Sequence, residues 1–250
     1  MTRPLSLALA ASLVVTACGA YDAPCADGDL LGYTIRPLDL REGVLRTQEA
    51  AAGNFVADAL VQEVVNADLA AIPAYAISEH SACGHRPLVD PGPLYEGDLR
   101  AMLANDEPLV VLTVSQAKVK AMLEYGVSKL GDPGPWGESP YFVQVSRNLE
   151  ALDISCSRRP TIVTWQEGEA TEVVGERVGQ VNVNLIGAPA SFRVVTVASF
   201  AELGTQIGWW QEGLEAGDTI RSAVADSIGG SQIDSGPEGR ISINKVDCDL

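Results

Sequence analysis

The chain has 250 residues, 46% of them apolar and 20% charged, which is the make-up of a globular protein and excludes a disordered one. Thirty-three acidic residues against 17 basic give a net charge of −16 and an isoelectric point near 4.4. A chain this acidic gains nothing from counterion release on phosphate backbones, so a nucleic-acid partner is excluded, and the bland reading of the charge is solubility outside the cytoplasm.

Residues 1–18 carry Arg3 and then an apolar run from Leu5 to Val15. The run is shorter than the roughly 20 residues a permanent span requires and has the proportions of a signal-peptide core. It ends in Val15-Thr16-Ala17-Cys18, which resembles a bacterial lipobox, with Cys18 as the acylated residue. The alternative is an ordinary secretory signal with Cys18 incidental. Acyl chains contribute about 0.8 kcal/mol per buried methylene, so a lipid on Cys18 would hold the protein to the membrane of the cell envelope, on a periplasmic or outer-membrane face. Residues 19–29 are small and polar and read as a tether, leaving 30–250 as one folded domain. Four cysteines remain, Cys25, Cys83, Cys156 and Cys248; an even number in an exported chain implies two disulfides, with three pairings open. A metal site at His80-x-x-Cys83-x-His85 is the competing use of Cys83.

In chain order, residues 49–65 place Phe55, Val56, Ala59, Leu60 and Val64 on one helical face. A short buried strand follows at 68–72, then a loop rich in Pro, Gly and His to about residue 95. Residues 109–114 predict a strand, and Ser115 caps a helix that turns Val119, Met122, Leu123 and Val127 inward. Turn residues fill 131–140. Strands are expected at 141–146, 161–165, 181–186 and 192–199, with Gly187-Ala-Pro189 as a hairpin between the last two. A loop bearing Trp209 and Trp210 leads to a helix from about Asp218, with Ile220, Val224 and Ile228 inside, and 240–246 closes as a strand. No internal repeat or dividing linker is visible; the pattern is one mixed α/β domain.

Six stretches, in order, resemble the C-terminal domain of 5′-nucleotidases, UDP-sugar hydrolases and cyclic-nucleotide phosphodiesterases. They are Glu49 with Gly53-Asn54 and Asp58-Ala59; Ala67-Asp68-Leu69-Ala70; the run 109–124; 141–146; Phe192 to Thr196 with Phe200; and Glu238-Gly239-Arg240-Ile241. The resemblance implies an α+β fold, a four-layer α/β/β/α sandwich, in which this domain grips a nucleotide while a separate metallophosphatase domain supplies two cations and the attacking water. This chain holds only two histidines, both in one loop, and is expected to leave no upstream room for that domain. The expectation is therefore no catalytic residue, no metal and no cofactor of its own, a divalent metal pair entering only through a partner metallophosphatase.

The binding segments of that family are altered. Where it typically reads Asn-Gly-Gly-Gly-x-Arg, this chain has Pro73-Ala74-Tyr75-Ala76-Ile77-Ser78; Gln48 stands where an arginine precedes the glutamate, with Arg46 two residues earlier. The base-stacking Pro-Phe segment falls at Ala104-Asn105, and the second ring falls within 204–208, just before Trp209 and Trp210. Those tryptophans are either a displaced stacking platform or partly buried packing residues. Arg46, Gln48, Asn54, Tyr75, Asn105, Trp209 and Trp210 are thus the candidate contacts for a nucleotide or nucleoside. Two functions follow: a non-catalytic binding or interaction module, or the substrate-binding half of a nucleotide-catabolic phosphohydrolase. An independent nucleophile is not indicated, because no Ser-His-Asp or Cys-His spacing stands out beyond Ser81 between two loop histidines.

Overall fold

The structure is a computed structural model that describes residues 27–80, 87–131, 138–159, 162–166, 169–185, 189–208, 213–245 and 247–248. The lipobox with Cys18, the first part of the tether, Cys25, Cys83, His85, Trp209 and Trp210 lie outside these residues. Among the described residues no helix is long and apolar enough to cross a membrane.

Along the chain come β1 (Leu30–Thr34), β2 (Leu38–Asp39), α1 (Glu42–Leu45), α2 (Ala51–Glu63) and β3 (Leu69–Pro73). A single 3-10 turn, Ala74–Ala76, precedes β4 (Leu88–Val89), β5 (Gly92–Tyr95), α3 (Glu96–Met102), β6 (Pro108–Val114) and α4 (Gln116–Gly126). Then follow β7 (Val143–Val145), β8 (Leu149–Ile154), β9 (Ile162–Gln166), β10 (Glu169–Val174), β11 (Val178–Val183) and β12 (Phe192–Val197). The chain closes with α5 (Ala198–Gln206), β13 (Leu214–Thr219), α6 (Ile220–Ile228), β14 (Gln232–Ile233) and β15 (Ile241–Ile243). The class is the mixed α+β one expected.

The main sheet has the order β13-β6-β12-β3-β7, with only β12 and β3 parallel. Its centre is the apolar run of β3, buried at all five positions, as a strand covered on both faces must be. Helix α2 packs on β3 and β7, α5 on β6 and β12, and α4 against β7, β10 and β11. The expected inward residues of α2, α4 and α6 are all in the core, and the Ser115 hydroxyl accepts the Lys118 amide as the predicted cap. A disulfide joins Cys156 to Cys248 with their Cα atoms 4.9 Å apart, resolving one pair. It closes a loop 92 residues long, worth about 4–5 kcal/mol on the chain-entropy model.

Several expectations are corrected. Strands β11 and β12 are not the two arms of a hairpin: β11 pairs with β8 in a second sheet, while β12 lies between β6 and β3. Burial explains the split, since β12 is covered on both faces and β11 is partly exposed, as suits an edge strand. The strand from Phe192 ends at Val197 rather than Ser199, because Phe200, Ala201 and Gly204 form the buried side of a helix, α5, that begins there. The described part of the long loop before residue 95 holds β4 and β5, and α3 follows directly. Strand β8 has no counterpart among the expected elements. Its burial alternates weakly, and acidic Glu150 and Asp153 interrupt its apolar side chains.

The motif residues meet one another. The Glu49 carboxylate is 7% exposed and accepts four N–H groups: Asn54 Nδ2 at 2.6 Å, then the backbone amides of Glu238, Gly239 and Ile241 at 2.7, 2.9 and 3.4 Å. Successive amides curl round it as they would round an anion, and Gly239, at φ +81°, supplies the left-handed residue this curl needs. Asp58 holds Arg240 at 2.9 and 2.7 Å and also binds Arg147 at 2.9 Å. Arg240 is 4% exposed and further donates to Glu238 and to the Val145 carbonyl. Gln144, fully buried, accepts from Ala50 and donates to the carbonyls of Leu45 and Gln48, fixing the entry to α2. The Ser146 hydroxyl accepts from Ala70, Glu124 accepts from Arg177 and Val178, and Asp68 holds Arg193. Nearly every polar group of the motifs satisfies the fold itself.

Two outcomes are expected. Gly53 lies so close to Gln144 that an added Cβ would fall on its side chain. Gly53→Ala therefore loses stability, by about 1–2 kcal/mol in urea unfolding, although alanine favours a helix by about 1. Burial works to raise the Asp58 carboxyl, but the hydrogen bonds from Arg240 and Arg147 outweigh it and hold it below its ordinary 3.8. A depressed folded value means the stabilisation is whole above 3.8 and is lost as pH falls through the lower folded value. Asp58→Asn should lower stability at neutral pH by about 2–3 kcal/mol, because the buried Arg240 loses one of its two carboxylate partners and keeps only Glu238. It should also flatten the acid limb of the stability curve below the ordinary carboxyl value of 3.8.

Candidate functional site

At the end of β3, where the main sheet meets α1 and the turn after α3, a cleft of about 250 Å³ opens. Clefts beyond the carboxyl ends of strands are the usual ligand positions in α/β folds. Its floor is apolar: Leu45, Ala74, Ala76 and Ile77 are each at most 4% exposed. Its rim is polar, with Arg46 and Glu42 on one side, Ser78, Glu79 and His80 on a second, and Asn105 on a third.

Local structure fixes each wall. Arg46 closes α1 and forms an ion pair with Glu42 one turn earlier, the spacing at which opposite charges meet on a helix. The Arg46 carbonyl accepts the Ser139 amide at 3.2 Å. The Ala104–Asn105 wall is held by Arg221 at the start of α6, whose guanidinium donates to the Leu103 and Ala104 carbonyls at 2.8 and 3.2 Å. Tyr75 stands on the 3-10 turn, its ring edge-on to Tyr141 with centroids 5.7 Å apart. Its hydroxyl shares a 2.8 Å hydrogen bond with Ser199 Oγ at the head of α5.

The segment 73–78 spends its amides internally. Ala74 donates to Phe142 at 2.8 Å, Tyr75 to Pro140 at 3.0 Å, Ile77 to Ala74 at 3.1 Å and Ser78 to Met102 at 2.7 Å. A glycine-rich loop would leave such N–H groups facing a ligand; this one turns them into the core. The charge inventory is equally unlike an anion site. The Arg46 guanidinium is matched by Glu42, and Glu79 adds a further negative charge at the exposed mouth.

Of the seven candidate residues, the cleft brings together Arg46, Tyr75 and Asn105. Gln48 lies elsewhere and accepts a hydrogen bond from Lys245 at 2.6 Å. Asn54 is fully buried, donating to Glu49 and the Gly236 carbonyl, so it serves the fold. Glu42, Ser78, Glu79 and His80 line the cleft without having been singled out as contacts. The i,i+4 Glu42–Arg46 pair was the available signal, and the other three directly continue the altered loop. A second cleft of about 210 Å³ lies between α2 and α6, but its Asp58 is engaged by Arg147 and Arg240. Among the described residues no group of three His, Cys, Asp or Glu side chains comes together as a metal ion would require, so these residues do not fit a metal pair.

Burial, with smaller contributions from Glu107 and the neighbouring tyrosines, pushes the Tyr75 phenol up to about 12, against the Ser199 hydrogen bond. A raised folded value means that stability falls as pH climbs from the ordinary 10.0 toward 12. In an ultraviolet titration, Tyr75→Phe should remove one tyrosine ionising near pH 12, and its stability should decline less over that range.

The family model "5'-nucleotidase, C-terminal domain" matches residues 31–210. Among solved structures, the chain is similar to a 5′-nucleotidase precursor from Thermus thermophilus, at 23% identity and a TM-score of 0.66, over 86% of this chain and 40% of that one. It is similar to the NAD nucleotidase of Haemophilus influenzae at 15% identity and a TM-score of 0.57, over 88% and 38% of the two chains. It is also similar to the sulfate thiohydrolase SoxB of Thermus thermophilus at 14% identity and a TM-score of 0.55, over 89% and 36%. At these identities the likeness shows the fold, and the chain spans at most 40% of the length of these proteins. No curated protein sequence matches it significantly. With its motif residues joined round Glu49 and Asp58, the chain belongs to the 5′-nucleotidase C-terminal domain family.

Proposed function

We propose that this domain is a non-catalytic binding module, held at the cell envelope through a lipid on Cys18. The observation that carries the reading is the contrast within one fold: the polar groups that build the domain are intact, while the loop at the end of β3 has turned its amides inward. Phosphate-ester hydrolysis at a dimetal centre needs clustered ligands to hold two cations and make hydroxide. The described residues offer no such cluster, and the cleft offers no fork of donors for a phosphoryl group. The single arginine on the rim is already paired with Glu42.

The family's name supplies the competing activity, nucleotide hydrolysis, and the test follows from it. The purified full chain, with Mn²⁺, Mg²⁺ or Zn²⁺ added, should release no phosphate from AMP above the buffer rate. Steady turnover that copurifies with the chain through two unrelated chromatographic steps overturns the proposal. Release that begins only when a separate metallophosphatase is mixed in would instead support the second sequence reading, a substrate-binding half.

A further inference from the structure

The cleft at the end of β3 has a chemistry of its own. Four features set it: an apolar floor of Leu45, Ala74, Ala76 and Ile77, the Glu42–Arg46 pair, the exposed carboxylate of Glu79, and amides committed elsewhere. We infer that the cleft takes an uncharged or positively charged small organic molecule with an apolar body, and discriminates against phosphate esters and other anions. The inference rests on reading the cleft as the binding site of the module.

The argument is one of charge and of donors. An anion entering the cleft would have to draw Arg46 away from Glu42 or face Glu79, and the amides of Ala74, Tyr75, Ile77 and Ser78 are already committed to carbonyls of the protein. A cation faces a rim whose formal sum, counting Glu42, Arg46 and Glu79, is negative, inside a chain of net charge −16. A neutral body loses nothing on either count and gains the apolar floor. Tyr75, fixed on Ser199 through its hydroxyl, is part of the lining of this cleft of about 250 Å³.

Matched probes test this without knowledge of the natural ligand. Tyramine and 4-hydroxyphenylacetate share an aromatic body and differ in charge; adenosine and AMP differ only in a phosphate. Melting temperatures of the full chain, converted to affinities by mass action, should place tyramine above 4-hydroxyphenylacetate and adenosine above AMP, each by roughly two- to fivefold, the scale of one exposed charge interaction. Inorganic phosphate should give no shift. Glu79→Lys, a change at an exposed position, should keep the wild-type fold and reverse both orders. Equal or tighter binding of AMP or the carboxylate, no shift with either tyramine or adenosine at millimolar concentration, or orders unmoved by Glu79→Lys each overturn the inference. Phosphate release from AMP would overturn non-catalysis but leave these orders standing, so the two fail separately.

Discussion

A carboxylate that water barely reaches must find donors or be abandoned by the fold, and Glu49 is such a group. Its four N–H partners come from the first turns of α2 and from the segment that opens β15, nearly two hundred residues later. Beside it, Gln144 ties the carbonyls ahead of α2 to β7, and Arg240 runs from the Glu49 turn to Asp58 on the same helix. Helix, main sheet and closing strand are thereby fastened at one place. The cleft inherits its geometry from this knot. The residues that end α1 and form its first wall, Leu45 and Arg46, immediately precede the stretch that Gln144 clamps.

This arrangement explains why a family can be legible in a chain whose ligand groups are altered. Glu49, Gly53, Asn54, Asp58, Glu124, Ser146 and Arg240 bind backbone or one another, so replacing any of them leaves a buried polar group unpaired or a tight contact overfilled. The loop 73–78 is held through backbone amides, whose hydrogen bonds do not depend on which side chains it carries. The similarity to hydrolases at 14–23% identity therefore speaks of architecture, and function has to be argued from the cleft.

Much of this is legible from periodicity. The apolar faces of α2, α4 and α6, the continuous run of β3 and the Ser115 cap each follow from patterns that local physics dictates. What escapes is set by distant partners. The strands β11 and β12 read alike along the chain, yet one is an edge and the other a centre, a distinction made by β8 and β3 from elsewhere. Helix α5 is hidden because Val197, its N-cap, makes no side-chain cap and nothing in the sequence marks the end of β12. In the site, Tyr75 and Arg46 can be picked from the altered motif. Asn54 passes for a contact because its amide is consumed inside the core, which no spacing announces, and Glu79 carries no signal beyond its place in the loop.

The closing E-G-R-I segment also governs when the polypeptide can become itself. Until residues 238–241 are available, Glu49 has lost three of its four donors and Arg240 is absent beside Asp58, so α2 cannot settle against the sheet. A nascent or clipped chain that stops short of that segment can bury Glu49 only with most of its donors missing, which favours leaving it in water. Such a chain stays open to proteases, whereas the finished one joins residues almost a whole chain length apart.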